Sequence, residues 1–361
     1  MKSSVRITLK TLVFFIVFNL VFILTNPLGW LGKVSLYNAV LPGRPRLPWG
    51  ENPQRAYNLT LNNLDAMFAS HEISQPKQAD EFRVVLIGDS STWGFLLKPE
   101  DTLAANLNAL HLTAKDGRKL RAYNLGYPDF SLAKDALILS RAMRYQPDLV
   151  VWLVTLRSMP ETEQIQHALV KGNAQKACEI GIQGFVPAGY TDCFMVDPIP
   201  ICPPIFCRRD YADLIRLQLY GVMWAATGID QDYPNKFDPL QKDFDKDNSF
   251  FNLKQPLEER DLAFNLLARG KEIAGKAPLI IINEPMFISD GKNSDVRYNF
   301  FYPRWAYDPY RERMPKLAAE QGWRYVDAWN LVPPSEFTNS AVHLTPTGSK
   351  LLAQKLAESL P

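Results

Sequence analysis

Two residues of this 361-residue chain have the types that nucleophilic acyl transfer needs, Ser90 and His343. Ser90 lies in Arg83-Val84-Val85-Leu86-Ile87-Gly88-Asp89-Ser90-Ser91-Thr92-Trp93-Gly94. The apolar run has strand length and stops abruptly at Gly-Asp-Ser. A strand that ends in a tight turn holds one hydroxyl out at the carboxyl edge of a sheet, where α/β proteins bind ligands. The residues after Ser90 suit a helix start, whose free N–H groups favour developing negative charge. A serine hydroxyl is a weak nucleophile until a base takes its proton. His71, His111 and His167 sit in stretches that suit solvated or locally bonded side chains. His343 stands in Ser340-Ala341-Val342-His343-Leu344-Thr345-Pro346-Thr347-Gly348, ahead of a closing amphipathic run. Imidazole is the side chain whose ordinary pKa suits a base near neutral pH.

The elements that must bring the two together follow from periodicity. Strands are expected over 83–88, 119–125, 147–155, 277–283 and 323–327, and helices over 101–112, 131–144, 258–275, 310–321 and 346–359. Strands alternating with helices call for a parallel sheet covered on both faces. About 120 residues separate the third strand from the fourth, most of them an insertion at roughly 159–255 of a length that often forms a lid. Within it, residues 214–226 read as an apolar helix, best placed in a core, with a membrane-facing or partner surface as alternatives. The stretch 297–307 is rich in aromatics with Arg and Asn, the make-up of a core segment or of a platform for sugar rings. Asn283-Glu284-Pro285 reads as a strand end, since no second placed carboxylate makes it a glycosidase pair.

The Gly-Asp-Ser-x-Thr-x-Gly block resembles the first motif of the SGNH/GDSL hydrolases, with Ser90 at the nucleophile position. The segment around His343 resembles the last motif of that superfamily, with His343 at the base. The resemblance covers residues 81–361 apart from the insertion. It implies a three-layer α/β/α domain with a flavodoxin-like parallel sheet. It also implies that Gly126, in Tyr123-Asn124-Leu125-Gly126, gives a backbone N–H to an oxyanion hole together with that of Ser90. Two blocks depart from the pattern. By count Arg157, in Thr155-Leu156-Arg157-Ser158, stands where the oxyanion-hole Asn is expected. It offers charge-assisted donors to an oxyanion, a clamp for a phosphate or carboxylate, or a partner for Glu161 or Glu163. The acid expected three residues before His343 is Ser340, with Asn339 beside it. Either orients an imidazole, but neither stabilises an imidazolium as a carboxylate does. Asp327 and Glu284 are candidate substitutes.

Composition narrows the class. Hydrophobic residues at 47%, charged residues at 22% and a net charge of +2 describe a globular protein and give no reason to expect nucleic acid as a partner. No Cys/His metal spacing, P-loop or dinucleotide fingerprint is present, so neither a metal nor a cofactor is expected. Lys2, Arg6 and Lys10 precede an apolar run that ends at Thr25-Asn26-Pro27. With no small-x-small site after it, this reads as an uncleaved signal anchor at 11–31, with a cytoplasmic stretch at 1–10 and a linker and extension at 32–80. Cys178, Cys193, Cys202 and Cys207 cluster in a Pro-rich segment, as two disulfides in an oxidising compartment would. The expectation is a single-pass cell-membrane protein whose extracytoplasmic domain is a serine esterase or O-acyltransferase. Its substrate would be an acyl ester, with envelope glycans implied by the resemblance and the anchor. The competing expectation, motivated by the two missing groups, is a catalytically reduced subunit that binds a glycan or a membrane acyltransferase.

Overall fold

The computed structural model describes residues 2–25, 36–41, 71–182, 208–228 and 240–360, with the isolated positions 31, 34, 64, 67, 68, 234, 236 and 237. Residues 42–63 of the expected linker and extension, and Cys193, Cys202 and Cys207, lie outside the described residues.

Five strands form one parallel sheet: β1 (Glu81–Ile87), β2 (Lys119–Asn124), β3 (Leu149–Val154), β4 (Leu279–Asn283) and β5 (Arg324–Asp327). Their order is β2-β1-β3-β4-β5 and every pairing is parallel. This is the flavodoxin-like order, and all five expected strands are present. Each of β1, β3 and β4 is buried along its whole length, as continuous apolar runs in a doubly covered sheet must be. Alternate side chains serve opposite layers. Val85, Ile87, Val150, Trp152 and Ile281 join the core under the helices Leu132–Ala142 (α4), Phe264–Ala274 (α6) and Arg304–Gln321 (α7). Val84, Leu86, Val151, Leu153 and Ile280 join the core under Leu103–Ala109 (α3) and Pro346–Ala357 (α8). The expected three layers are therefore observed.

The strand order reverses between β1 and β3. β1 leads to β2 on one side, and the chain then crosses over to β3 on the other. Loops leaving two such neighbouring strands diverge and open a crevice at the carboxyl edge. The segment from Gly88 leaves β1 on one wall, and the segment from Thr155 leaves β3 on the other.

The first helix, Lys2–Thr25 (α1), starts nine residues before the expected anchor at 11–31. Its Val5–Thr25 portion, with mean hydropathy 2.4, is long and apolar enough to cross a membrane. One expectation needs correction, and one pair of alternatives is decided in favour of core. The apolar helix of the insertion, Arg208–Thr227 (α5), is not core, because Ile215, Leu219 and Met223 are exposed along one side. The aromatic stretch at 297–307 is not an open sugar platform. Tyr302 and Tyr307 are fully buried, and Arg297 is tied to the carbonyls of Asp247, Asn299 and Phe300.

Candidate active site

A one-turn helix, Ser90–Trp93 (α2), follows β1 directly. Asp89 caps it, its Oδ1 accepting from the Ser91 N–H at 2.7 Å. Gly94 closes it at φ 90°, a left-handed conformation that suits glycine. This tight turn holds Ser90 at the first helical position, over the crevice. Ser90 Oγ lies 2.8 Å from His343 Nε2, a hydrogen bond across 253 residues of sequence. The structure thus brings together the expected nucleophile and base.

His343 sits on the loop into α8. Its carbonyl accepts from the Thr338 N–H at 2.8 Å, and the Phe287 N–H reaches the carbonyl of Ala341 at 2.7 Å. Thr345 caps α8 and Pro346 occupies its first turn. The Phe95 ring covers one side of the imidazole, with centroids 5.0 Å apart. Burial lowers the His343 pKa from 6.5 to about 4, because desolvation disfavours the charged ring. Asn339 Oδ1 is the group facing Nδ1, at 3.4 Å. That is long for a hydrogen bond. Ser340 does not share the task, since its hydroxyl faces the Val342 N–H at 3.5 Å. Neither candidate carboxylate takes the missing acid's place. Asp327 pairs with Arg311 at 2.7 Å and accepts from Asn283 Nδ2 at 2.9 Å. Glu284 is buried, and its pKa is raised first by burial and then by the charge of Asp89. Asp89 is raised likewise, by burial above all, with Lys134 opposing.

Gly126 lies against the nucleophile's helix. A Cβ there would come within 2.3 Å of the Trp93 backbone nitrogen, so glycine is demanded by this close approach of two backbones. Its N–H donates to Asn124 Oδ1 at 3.0 Å, and Asn124 Nδ2 donates to the Trp93 carbonyl at 3.1 Å. Arg157 is on a single turn, Leu156–Ser158, just past β3. Its guanidinium carbon lies 4.4 Å from the Phe301 ring centroid, 5.3 Å from that of Phe130 and 5.4 Å from that of Phe251. No carboxylate among the described residues pairs with it, Glu161 and Glu163 included.

Two supporting residues carried no sequence signal. Lys134 is fully buried on α4 and donates to the carbonyls of Gly88, Tyr127 and Asp129 at 3.0, 2.7 and 3.0 Å. It fastens the turn before Ser90 to the loop after Gly126. Asp135, 2.9 Å from its ammonium, supplies the countercharge and accepts from Trp152 Nε1 at 3.1 Å. In sequence both look like ordinary polar helix positions. Asn124 was visible only as a strand-end residue.

No protein-family model matches the chain, and no curated protein matches its sequence. Solved structures do. A member of the lipolytic G-D-S-L family from Veillonella parvula is 12% identical over 76% of this chain and 96% of its own, with a TM-score of 0.36. A carbohydrate acetylesterase family member from Sinorhizobium meliloti is 13% identical over 77% of this chain and 96% of its own, with a TM-score of 0.33. Likenesses this distant do not carry chemistry from those proteins to this chain.

Proposed function

We propose that this chain is a serine esterase of the SGNH/GDSL hydrolase type, acting on ester-linked acyl groups. The observation that carries this reading is the 2.8 Å contact between Ser90 Oγ and His343 Nε2 at the mouth of the β1/β3 crevice. Ser90 Oγ attacks the ester carbonyl while His343 Nε2 takes its proton. The carbonyl π electrons move to oxygen, and the backbone N–H of Ser90, at the start of α2, faces that oxyanion, while the Gly126 N–H is held by Asn124 Oδ1. Collapse expels the alkoxide, which takes the proton from His343 and leaves an acyl-serine. Water attacks this ester with His343 again as base, releasing the acid and restoring Ser90. Attack by a sugar hydroxyl in place of water makes the same site an O-acyltransferase.

The α1 helix suits a membrane anchor that leaves the domain outside the cytoplasm, where envelope glycan esters are the substrates at hand. Thiol counting under denaturing conditions tests this location. No free thiol before reduction and four after it support it, whereas four free thiols from the start argue against it. The chemistry is tested with the detergent-solubilised full chain. A fluorophosphonate probe should label Ser90 and 4-nitrophenyl acetate should be hydrolysed, with both lost in Ser90→Ala. Absence of labelling and turnover in the folded chain would return the reading to a non-catalytic binding subunit.

A further inference from the structure

The Arg157 guanidinium has five N–H donors and no protein acceptor for any of them among the described residues. Its side chain is only half-buried. What surrounds it is aromatic: Phe301, Phe130 and Phe251 pack about the guanidinium carbon. Rings stack on the flat faces of a guanidinium and leave its in-plane N–H edge open. Unusual backbone lies at or beside two of these walls. Phe251 adopts φ 50°, a left-handed conformation uncommon for a bulky residue, and Phe130 follows Asp129 at φ 69°. Phe130 and Phe301 also meet edge to face, with centroids 5.9 Å apart. Such backbone is retained where the surroundings over-determine it, and it concentrates at ligand sites.

The place matters as much as the cage. β1 and β3 are neighbours, with Ile87 opposite Trp152. Ser90 is three residues past one of this pair and Arg157 five residues past the other, so they stand on the two walls of one crevice. Between them Tyr302, fully buried, bonds Thr155 at the end of β3 with its hydroxyl at 2.7 Å.

From this geometry, and resting on the esterase reading above, we infer that Arg157 and its phenylalanine walls form a subsite for a carboxylate carried by the ester substrate. The substrate class is thereby an anionic ester, such as an acylated uronic acid or the half-ester of a dicarboxylic acid. A carboxylate matches the single positive charge and the planar fork, and it fits edge-on between flat walls. This gives Arg157 the substrate's standing charge in place of the transient oxyanion.

The test compares 4-nitrophenyl acetate with two carboxylate esters, mono-4-nitrophenyl succinate and 4-acetoxybenzoate, in the full chain and in Arg157→Gln and Arg157→Lys. A charge-assisted bidentate contact corresponds to roughly 10- to 100-fold in affinity. The anionic-to-neutral ratio of kcat/KM should therefore fall by about that factor in Arg157→Gln for at least one carboxylate ester. It should recover in part in Arg157→Lys. An equal loss on all three esters would overturn the inference, because an oxyanion donor or a structural residue acts on every ester alike. Where no ester is hydrolysed the esterase reading fails, and the subsite is tested separately by thermal unfolding with millimolar succinate, benzoate or inorganic phosphate. A carboxylate-dependent rise in Tm that Arg157→Gln lacks upholds the subsite. No Arg157-dependent rise, or one given by phosphate alone, overturns it.

Discussion

Asn339→Asp restores a carboxylate where the imidazole lacks one, and its consequences follow from two numbers. Asn339 Oδ1 stands 3.4 Å from His343 Nδ1, and the His343 pKa is lowered to about 4 with burial as its cause. Two unit charges at that separation interact by ~1.2 kcal/mol in bulk water and ~5 kcal/mol at an effective dielectric constant of 20. Position 339 is exposed and the imidazole largely buried, so a value of roughly 1.5–3 kcal/mol is reasonable after solvent screening. That corresponds to a rise of about one to two pK units. The acid limb of kcat/KM reports the base of the free enzyme. It should lie near pH 4 in the natural chain and between about 5 and 6 in the variant. The same attraction stabilises the imidazolium that forms as Ser90 loses its proton. The plateau rate should rise by up to about ten- to a hundredfold. Stability moves consistently. A histidine whose folded pKa lies below its unfolded value carries no penalty above pH 6.5, and the penalty grows as pH falls from 6.5 towards 4. The carboxylate should shrink it. The assay is hydrolysis of 4-nitrophenyl acetate from pH 3 to 9, with unfolding followed in parallel. A folded variant whose acid limb stays put would show that Asn339 does not face the working imidazole.

Three further outcomes are expected. Ser90→Ala and His343→Ala should each reduce ester hydrolysis to background, and the double variant should fall no further, since the pair acts as one unit; kcat/KM checks this. Lys134→Met strands the buried Asp135 and frees three carbonyls under the nucleophile's turn, and should cost about 3–5 kcal/mol in urea unfolding. Gly126→Ala drives a methyl into the Trp93 backbone nitrogen and should cost about 1–3 kcal/mol, with kcat lost because the helix carrying Ser90 must shift.

The centre of the sheet was legible because β1, β3 and β4 are buried on both faces and read as nearly unbroken apolar runs. Val84–Ile87, Leu149–Val154 and Leu279–Ile282 have no other use for so many branched residues. Ser90 and His343 were legible because a strand-terminating Gly-Asp-Ser and a lone well-placed histidine are local patterns. What failed, or carried no signal, depended on tertiary contact. The α5 helix has the apolar content of a core helix, and nothing in its sequence says that Ile215, Leu219 and Met223 face outward. The 297–307 aromatics suit a surface platform as well as a core, until Tyr302 is seen beneath Thr155. Lys134 is one lysine on a helix until three carbonyls converge on it.

The charges around the crevice are sorted by depth. The carboxyl groups of Asp89, Glu284 and Asp135 are buried, with the Lys134 ammonium among them. The more open side presents the neutral Asn339 and the positive Arg157, and among the described residues no acid bonds the imidazole. Asp135 is neutralised by Lys134, and Asp89 and Glu284 are held by burial toward their neutral forms, so these acids neither repel a substrate nor charge the base. An acid at 339 would do both. This arrangement makes sense of the missing carboxylate if the natural substrate is itself an anion. Strengthening the base with Asp would then come at the cost of repulsion beside the very group that Arg157 holds. Asn339→Asp should therefore speed the neutral 4-nitrophenyl acetate more than mono-4-nitrophenyl succinate, lowering the anionic-to-neutral ratio. Raising salt should narrow the difference, because a partly exposed charge is screened. Equal acceleration of both esters at low salt would show that the open side is not tuned for negative charge.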